Sequence, residues 1–561
     1  MKKELTVDEW FSEIRSGLEY RKEYGREDVW AELEALFYEA KGLDTSKGPN
    51  LINSIGDAIV SHLGSIYPYI MTRPKRQDSV QNAKILESVD NSLLEELDLP
   101  DEMGTAILHA YLWGRGFLKL GYDSEFGWNP AKLSNPEQTF GMSLSQFDSK
   151  GNRIEYCEKV KPGMPWVSTV LPHDIVVPWG VSSLKDTPYI AHRVIRHIDD
   201  IKSDVKYSGK RDLQPTMTGN DVVNSYLAVG DGQRLTNVSM GRDVPKAEFV
   251  EMWEIRDVRT NKIKVIATGH DKFLRNEYDY LQTQGLPFVS FAMVPQTRNF
   301  WVTPDAYYLL PYQEELNDIS VQAAKMRKLA ILKFLYSDGA IDETELQKLF
   351  SPDIGAGVRV NQGIPLNEAV QVFTPHNPNM NLYAVDAEYV RRNSRETVGF
   401  SRNQLGEYEQ KGRRTASEVM AVQDGSNNKM NRRQLVIRRA YLDIFKKLNS
   451  IIFTHWRTPK WVEVGGDWVE YDGQMLKSDY SYDLVFAQKN PISSPVERAM
   501  ENLNLYSMLV QDPYIDQVGL RNMVQSAMPN PEHRKVFRTD ANIPLQMQQM
   551  QQGNGPVQPN Q

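Results

Sequence analysis

From Ile437 onward, apolar and aromatic residues recur at three- and four-residue steps through Tyr441, Ile444, Leu448 and Ile451 to His455, the stripe of an amphipathic helix. No proline interrupts the chain between Thr415 and Trp456. Thr415 is followed three residues later by Glu418, the spacing of a capping box in which each side chain satisfies an orphan donor of the first turn. The pattern predicts a helix from near Thr415 to about Trp456, whether or not Gly425 kinks it. An average globular helix is roughly 11 to 12 residues, so this one must span a domain or an interface. A second helical pattern, Asn381 to Val398, precedes it across a polar insert that begins at Gly399.

Upstream, residues 6 to 43 read as two amphipathic helices, one on Trp10, Phe11 and Ile14 and one on Trp30, Leu33, Leu36 and Phe37. Residues 49 to 66 and 79 to 115 predict further helices. The last runs into Gly114-Arg-Gly-Phe-Leu-Lys-Leu-Gly-Tyr-Asp123, where Phe117 to Tyr122 reads as a strand behind a tight glycine junction. Short apolar runs between turn residues, at 154 to 200 and 246 to 295, predict more strands, and Ser208 to Asp243, rich in Gly, Asn, Asp and Ser, reads as a surface insertion. After Pro311 a helix carries Leu316, Ile319, Ala323, Met326 and Ala330, its register drawing Lys325, Arg327 and Lys328 together. A short helix around Asp342 to Leu349 follows, then two strand candidates, Val358 to Val360 and Ala369 to Phe373, joined by a turn with Gly363 and Pro365. Beyond the long helix come strands at Trp461 to Tyr471 and Tyr482 to Phe486, then helices at Pro495 to Val510 and Val518 to Met528. The glutamine-rich end beyond about Gln551 has the composition of a disordered tail. The class is α+β, mainly helical.

Composition narrows the function. With 561 residues the chain exceeds the size at which one core keeps growing, so several modules are expected. Its 65 basic against 73 acidic residues, a formal charge of -8, argue against a binder that grips nucleic acid by neutralising many phosphates. The single Cys157 excludes a disulfide framework or thiolate cluster and reads as an inert buried thiol. The N-terminal residues lack a signal-peptide core and no stretch approaches the roughly 20 apolar residues of a membrane span, so the expected site of synthesis is the cytosol. His192 and His197 lack metal-ligand spacing, and Gly355-Ala-Gly357 lies before a strand where a phosphate loop would open a helix; no metal, nucleotide or other cofactor is expected. Acidic pairs such as Asp199-Asp200 and Glu314-Glu315 lack a third ligand that would make a two-metal nuclease.

The order helix, small α/β excursion, returning helix, polar loop and very long helix resembles the portal proteins of tailed bacteriophages, ring-forming proteins at one capsid vertex. Gly412-Arg-Arg-Thr-Ala-Ser-Glu-Val419 is similar to the start of their long wing helix, Gly114 to Asp123 to a wing strand, and Pro172-His-Asp-Ile-Val176 with Tyr189-Ile-Ala-His-Arg193 to paired wing strands. The likeness covers most of the chain. It implies a portal fold: a wing over 1–311, a first stem helix over 312–335 (Tyr312 to Phe334), a clip over 336–375, a second stem helix over 376–399, and a tunnel loop over 400–414. The long wing helix and closing strands would take 415–490, a C-terminal crown 491–545 and a disordered tail 546–561. The short glutamine-rich end departs from those portals that carry a long helical barrel, so a crown is expected there and a barrel is not.

That resemblance implies a non-enzymatic subunit of a ring of about twelve copies, in the virion after assembly in the host cytoplasm. Its expected partners are the packaging terminase, the head-to-tail adaptor and tail proteins, the major capsid protein and scaffold, and double-stranded DNA passing non-specifically through the channel, with no membrane. Arg402, Lys411, Arg413 and Arg414 are the tunnel-loop candidates for transient phosphate contact, against the alternative that they pair with Glu407 and Glu409. Lys325, Arg327, Lys328, Asp386, Glu388, Arg391, Arg392 and Arg395 are the stem and subunit-interface candidates, against a solvated helix held by pairs such as Glu388 with Arg392. Asp342, Glu343, Glu345 and Lys348 are the clip candidates for motor docking. The basic run Lys429, Arg432, Arg433, Arg438 and Arg439 reads either as a DNA-facing patch or as an intersubunit salt-bridge strip. The alternative function is a packaging or processing enzyme, a nuclease or ATPase; an exterior adhesion protein would need β-repeats that the chain lacks.

Overall fold

The computed structural model describes residues 4–38, 48–64, 67–124, 160–218, 221, 248–329, 333–336, 339–349, 358–361, 365, 370–373, 380–399, 416–464, 467–487 and 503–508. The chain forms two compact units, one of residues 1–64 and 97–452 and one of 65–96 and 453–561. The first opens with α1 (Val7–Gly25), α2 (Trp30–Phe37) and α3 (Leu51–Gly64). Thr6 and Glu9 form a capping box at the start of α1. The chain then enters the second unit as β1 (Tyr67–Pro74) and α4 (Val80–Glu96), and returns to the first as α5 (Leu99–Trp113). The predicted helix over 79–115 is therefore two helices. Asp98 takes a left-handed φ of 47° and Pro100 opens α5, a combination that stops one helix and starts the next. The strand β1 was not foreseen from the pattern.

The first unit is built on two antiparallel sheets. One has three strands in the order β3-β2-β9, with β2 (Gly116–Tyr122) central and β3 (Pro165–Val170) and β9 (Phe288–Phe291) flanking. The other has five in sequential order: β4 (Ile175–Val176), β5 (Tyr189–His197), β6 (Phe249–Asp257), β7 (Lys262–Ala267) and β8 (Arg275–Tyr278). The glycine junction into β2 is as tight as expected. Gly114 has φ +83°, and a Cβ at Gly114 or Gly116 would strike the carbonyl oxygens of Val302 and Ala106.

Both faces of the five-stranded sheet are covered. Val7, Trp10 and Ile14 of α1 pack on Val176, Tyr189, Trp253, Ile255 and Ile266, while Ile201 of α6 (Ile198–Ser203), Tyr207 and Leu213 pack on Val250, Met252, Ile263 and Val265. The start of the predicted surface insertion thus belongs to the core: Leu213 is buried and Met217 bridges to Phe249, because apolar residues spaced among the polar ones reach the second sheet face. Most of the insertion, with Cys157 and the Gly355–Gly357 pair, lies outside the described residues. Double coverage leaves charged strand residues dry, and they neutralise one another. Lys119 donates to Glu254 at 3.0 Å, and Arg256 donates to Glu254 at 2.8 Å and to both oxygens of Asp279 at 2.8 Å. Burial pushes the Glu254 carboxyl up, but Lys119 and Arg256 outweigh it and hold the group well below the usual carboxylate range.

After a 3-10 turn at Asp305–Leu309 come α7 (Leu310–Leu329), β10 (Lys333–Tyr336), α8 (Glu343–Leu349), β11 (Val370–Phe373), α9 (Met380–Val398) and α10 (Ala416–His455). The predicted first stem helix is corrected at its end. It stops at Leu329, and Lys333-Phe-Leu-Tyr336 pairs with β11 as a strand. Val358–Val360 is not a strand, and β11 takes its partner from upstream instead. The 40-residue α10 spans the predicted length without a break.

In the second unit β1 pairs antiparallel with β14 (Tyr480–Ala487), and β12 (Lys460–Val464) pairs with β13 (Asp467–Tyr471). Asn91 of α4 exchanges hydrogen bonds with the backbone of Ile70, at 3.0 and 2.9 Å, and Glu87 accepts from the Thr72 amide at 2.9 Å. These side chains satisfy backbone groups of β1 away from β14. Leu503–Met508 is helical within the predicted Pro495 to Val510 segment.

Candidate stem and channel surface

The two predicted stem helices lie together. Tyr312, near the start of α7, shares a 3.0 Å hydrogen bond with Thr397, near the end of α9, so the helices run antiparallel. Leu316, Val390 and Leu51 form their buried contact, with Tyr312, Ile319 and Ala387 around it. The helical period explains which side chains meet: Ala387, Val390, Ser394 and Val398 share one face of α9. Gln313 roots the pair in α3. Its Oε1 accepts from the Leu51 amide at 2.7 Å, and its Nε2 donates to the Pro49 carbonyl at 3.2 Å.

One guanidinium ties the turn before α7 and the end of α9 to the long helix. Arg433 of α10 donates from Nη2 to Asp305 Oδ2 at 2.7 Å and to the Val398 carbonyl at 3.2 Å. Its side chain is 9% exposed and that of Asp305 11%. Burial pushes the Asp305 carboxyl up and Arg433 opposes the shift. Val398 ends α9, where carbonyls have no intrahelical donor to accept from, and Gly399 leaves the helix with φ +85°. The polar insert departs at Gly399 and the chain rejoins at Ala416, so the junction grips the segment just before the insert and the helix just after it. Arg402, Lys411, Arg413 and Arg414 lie outside the described residues.

The structure separates the other candidates. Val385, Tyr389, Arg392 and Glu396 form the face of α9 turned away from α7; Val385 is 63% and Tyr389 59% exposed, and Arg392 pairs with Glu396 at 3.4 Å. Arg395 points inward, buried, and donates to half-buried Glu388 at 3.1 Å, where the sequence pattern paired Glu388 with Arg392. Asp386 and Arg391 are half-buried at the flanks. On α7, Glu314, Glu315, Asp318 and Lys325 are exposed on one face. Arg327 is exposed too, but two residues on a helix turn by about 200°, so it does not join Lys325 in one patch. Only the backbone of Lys328 is described. Among the clip candidates, Glu345 is used internally: it pairs with Lys348 at 2.7 Å and accepts from the Arg359 amide at 3.0 Å, and these bonds lower its pKa. Asp342 meets Asn361 at 3.4 Å, and Glu343 is exposed. Of the basic run on α10, Arg433 is withdrawn into the subunit, whereas Arg432 and Arg439 are exposed. The Asp305–Arg433 pair was missed by sequence reasoning, since 128 residues separate its members and nothing local marks Asp305 as buried.

Among the described residues no helix is long and apolar enough to cross a membrane, and no cluster of three or more His, Cys, Asp or Glu is arranged to hold a metal. A two-sheet body carrying two antiparallel helices, a small α/β excursion between them and a 40-residue helix after them defines the fold as α+β. A profile of the family described as phage SU10 portal protein matches residues 69–487, a span that begins in β1 and ends with its partner β14; the chain belongs to that family. It is a phage portal protein. The chain is also similar to a solved structure described as "Neck of empty GTA particle computed with C6 symmetry", at 9% identity over 89% of this chain and 94% of that chain, with a TM-score of 0.39. No curated protein matches the chain.

Proposed function

We propose that about twelve copies close into a ring whose bore, lined by the stem helices and the 400–414 loop, passes double-stranded DNA during packaging and ejection. The observation that carries this reading is the antiparallel packing of α7 on α9, with the end of α9 at Val398 tied to the long helix through Arg433. Basic side chains on such a loop, Arg402, Lys411, Arg413 and Arg414, hold phosphates weakly and allow sliding, and an acidic chain does not grip DNA elsewhere. The exposed Glu343 and Lys348 of the clip meet the terminase and later the head-to-tail adaptor. The wing meets the major capsid protein and scaffold. A ring interface is heterologous and needs two different, complementary faces. The acidic outer face of α7 and the outer face of α9, with Val385, Tyr389 and the Arg392–Glu396 pair, point away from each other, and Arg392 is the group of the second face that would meet the carboxylates of the first. Native mass spectrometry with negative-stain imaging tests the proposal. A closed ring of about twelve copies with a central hole is expected, and a folded monomer or dimer at high concentration, also in the presence of scaffold, overturns it.

A further inference from the structure

The β12–β13 hairpin carries an outer face that the channel reading does not use. In its register Trp461 lies opposite Glu470 and Glu463 opposite Trp468, and directly opposed residues share a face. All four side chains are exposed, the tryptophans at 60% and 67%. Trp is among the most buried residues on average, so two on one exposed face of a small hairpin are a departure that points to a partner. The hairpin is firmly anchored by its other face. Lys460 lies 3.6 Å over the Trp456 ring, Tyr471 is buried beside Trp456 with ring centroids 6.1 Å apart, and the Gly473 amide donates to the Trp456 carbonyl at 2.8 Å. The outer indoles are thus held out on a rigid support.

Charge decides what fits. The segment Lys460–Asp472 holds four acids, Glu463, Asp467, Glu470 and Asp472, against Lys460 alone, and Lys460 is turned to the inner face. Among the described residues neither Glu463 nor Glu470 is in an ion pair. Indole faces flanked by carboxylates attract cationic side chains, with arginine favoured because its planar guanidinium both stacks and bonds bidentately. The same carboxylates repel DNA and anionic lipid. We propose that this face docks an arginine- or lysine-bearing segment of a different polypeptide, its cations lying on Trp461 and Trp468 and meeting Glu463 and Glu470. The proposal does not depend on the channel reading.

The test uses the full chain and a labelled peptide alternating arginine and valine, followed by fluorescence anisotropy at 150 mM salt, with a glutamate–valine peptide as control. The double variant Trp461→Ala/Trp468→Ala, which leaves net charge unchanged, is expected to weaken binding of the arginine peptide at least tenfold. Glu463→Lys/Glu470→Lys is expected to do the same and to gain affinity for the glutamate peptide. Trp179→Ala, at an exposed tryptophan of the other unit, leaves binding unchanged. Cross-strand aromatic packing also stabilises a hairpin, so thermal midpoints of the variants serve as the control for folding. A smaller loss in either double variant overturns the proposal. So does Trp-dependent binding to vesicles of anionic lipid, or a change of ring stoichiometry in the tryptophan variant, which would make the face a contact between copies of this chain.

Discussion

Arg433 holds two groups, the Asp305 carboxylate and the Val398 carbonyl, with one guanidinium, and its removal shows what a buried ion pair is worth. Arg433→Ala leaves Asp305 dry and uncompensated and the Val398 carbonyl without its donor. The expected loss is about 3–5 kcal/mol, read from the urea midpoint of the first unit. The paired change Arg433→Met with Asp305→Asn is expected to lose less than Arg433→Ala alone, because no net charge stays buried. A loss below about 1 kcal/mol in Arg433→Ala, the range of a surface pair, would sink this account. Three histidines, His109 buried and His173 and His192 half-buried, set the acid limit of the same unit. Burial lowers His109 to about 4, and burial with Arg21 and Arg193 nearby lowers His173 to about 3; burial with Lys119 beside it lowers His192 to about 3. Each is neutral in the fold and protonates on unfolding below about 6.5. The unfolded chain therefore binds more protons, so the stability they contribute is full above pH 6.5 and falls as pH drops toward 4. Well below pH 6 the three together cost about 4 kcal/mol per pH unit. Urea midpoints that do not differ between pH 7 and pH 5 would contradict this.

Among the elements, β1 shows how a strand far from its partner in sequence is made to pair. Its side toward β14 is satisfied over the full register from Tyr67↔Ala487 to Pro74↔Tyr480, and on its other side α4 supplies Asn91 and Glu87. Asn91→Ala strips both hydrogen bonds from Ile70, which is fully buried as a side chain. The expected cost is about 1–3 kcal/mol, with faster amide exchange at Ile70 and little change at the α1 amides of the other unit. Exchange at Ile70 that matches the parent protein would show that α4 merely covers the strand. The stem pair behaves differently. Its few apolar contacts, Leu316 and Val390 with Leu51, leave Val385 and Tyr389 in solvent, so α9 presents apolar surface that its own subunit does not bury.

For the assembled molecule that exposed face matters most. Glu315 on α7 and Arg392 on α9 lie on the two outward faces, and the antiparallel stem sets residues 311–318 level with 391–398. Glu315→Arg alone, or Arg392→Glu alone, is expected to place like charges across each contact and to shift the population from rings toward subunits at least tenfold. The double variant is expected to restore rings, because the attraction is reversed in sign but kept. Native mass spectrometry reads all three samples. If the double variant assembles no better than either single one, these two faces do not meet.

The long helix was legible from sequence because its signal is local: an unbroken apolar period on Ile437, Tyr441, Ile444, Leu448 and Ile451, all buried except where the stripe ends at His455. The two N-terminal helices, the glycine junction before β2, the strands of the Trp461–Tyr471 run and the order of helix, α/β excursion and returning helix were legible for the same reason. Periodicity, turn residues and caps act over a few positions. The strand identity of Lys333–Tyr336 and the whole of β1 were not, since each depends on a partner tens to hundreds of residues away; the break at Asp98 has a local mark, Pro100, which the continuous helical period of 79–115 masked. Among the candidate residues, sequence identified which could carry charge, but burial decided their use. Arg395 and Arg433 are spent inside the subunit, and Arg392 is left outside, although all three read alike in the chain. Local pattern determines which segments become helices. Only tertiary packing decides which charges are desolvated and paired, because desolvation is set by what covers a side chain from elsewhere in the chain.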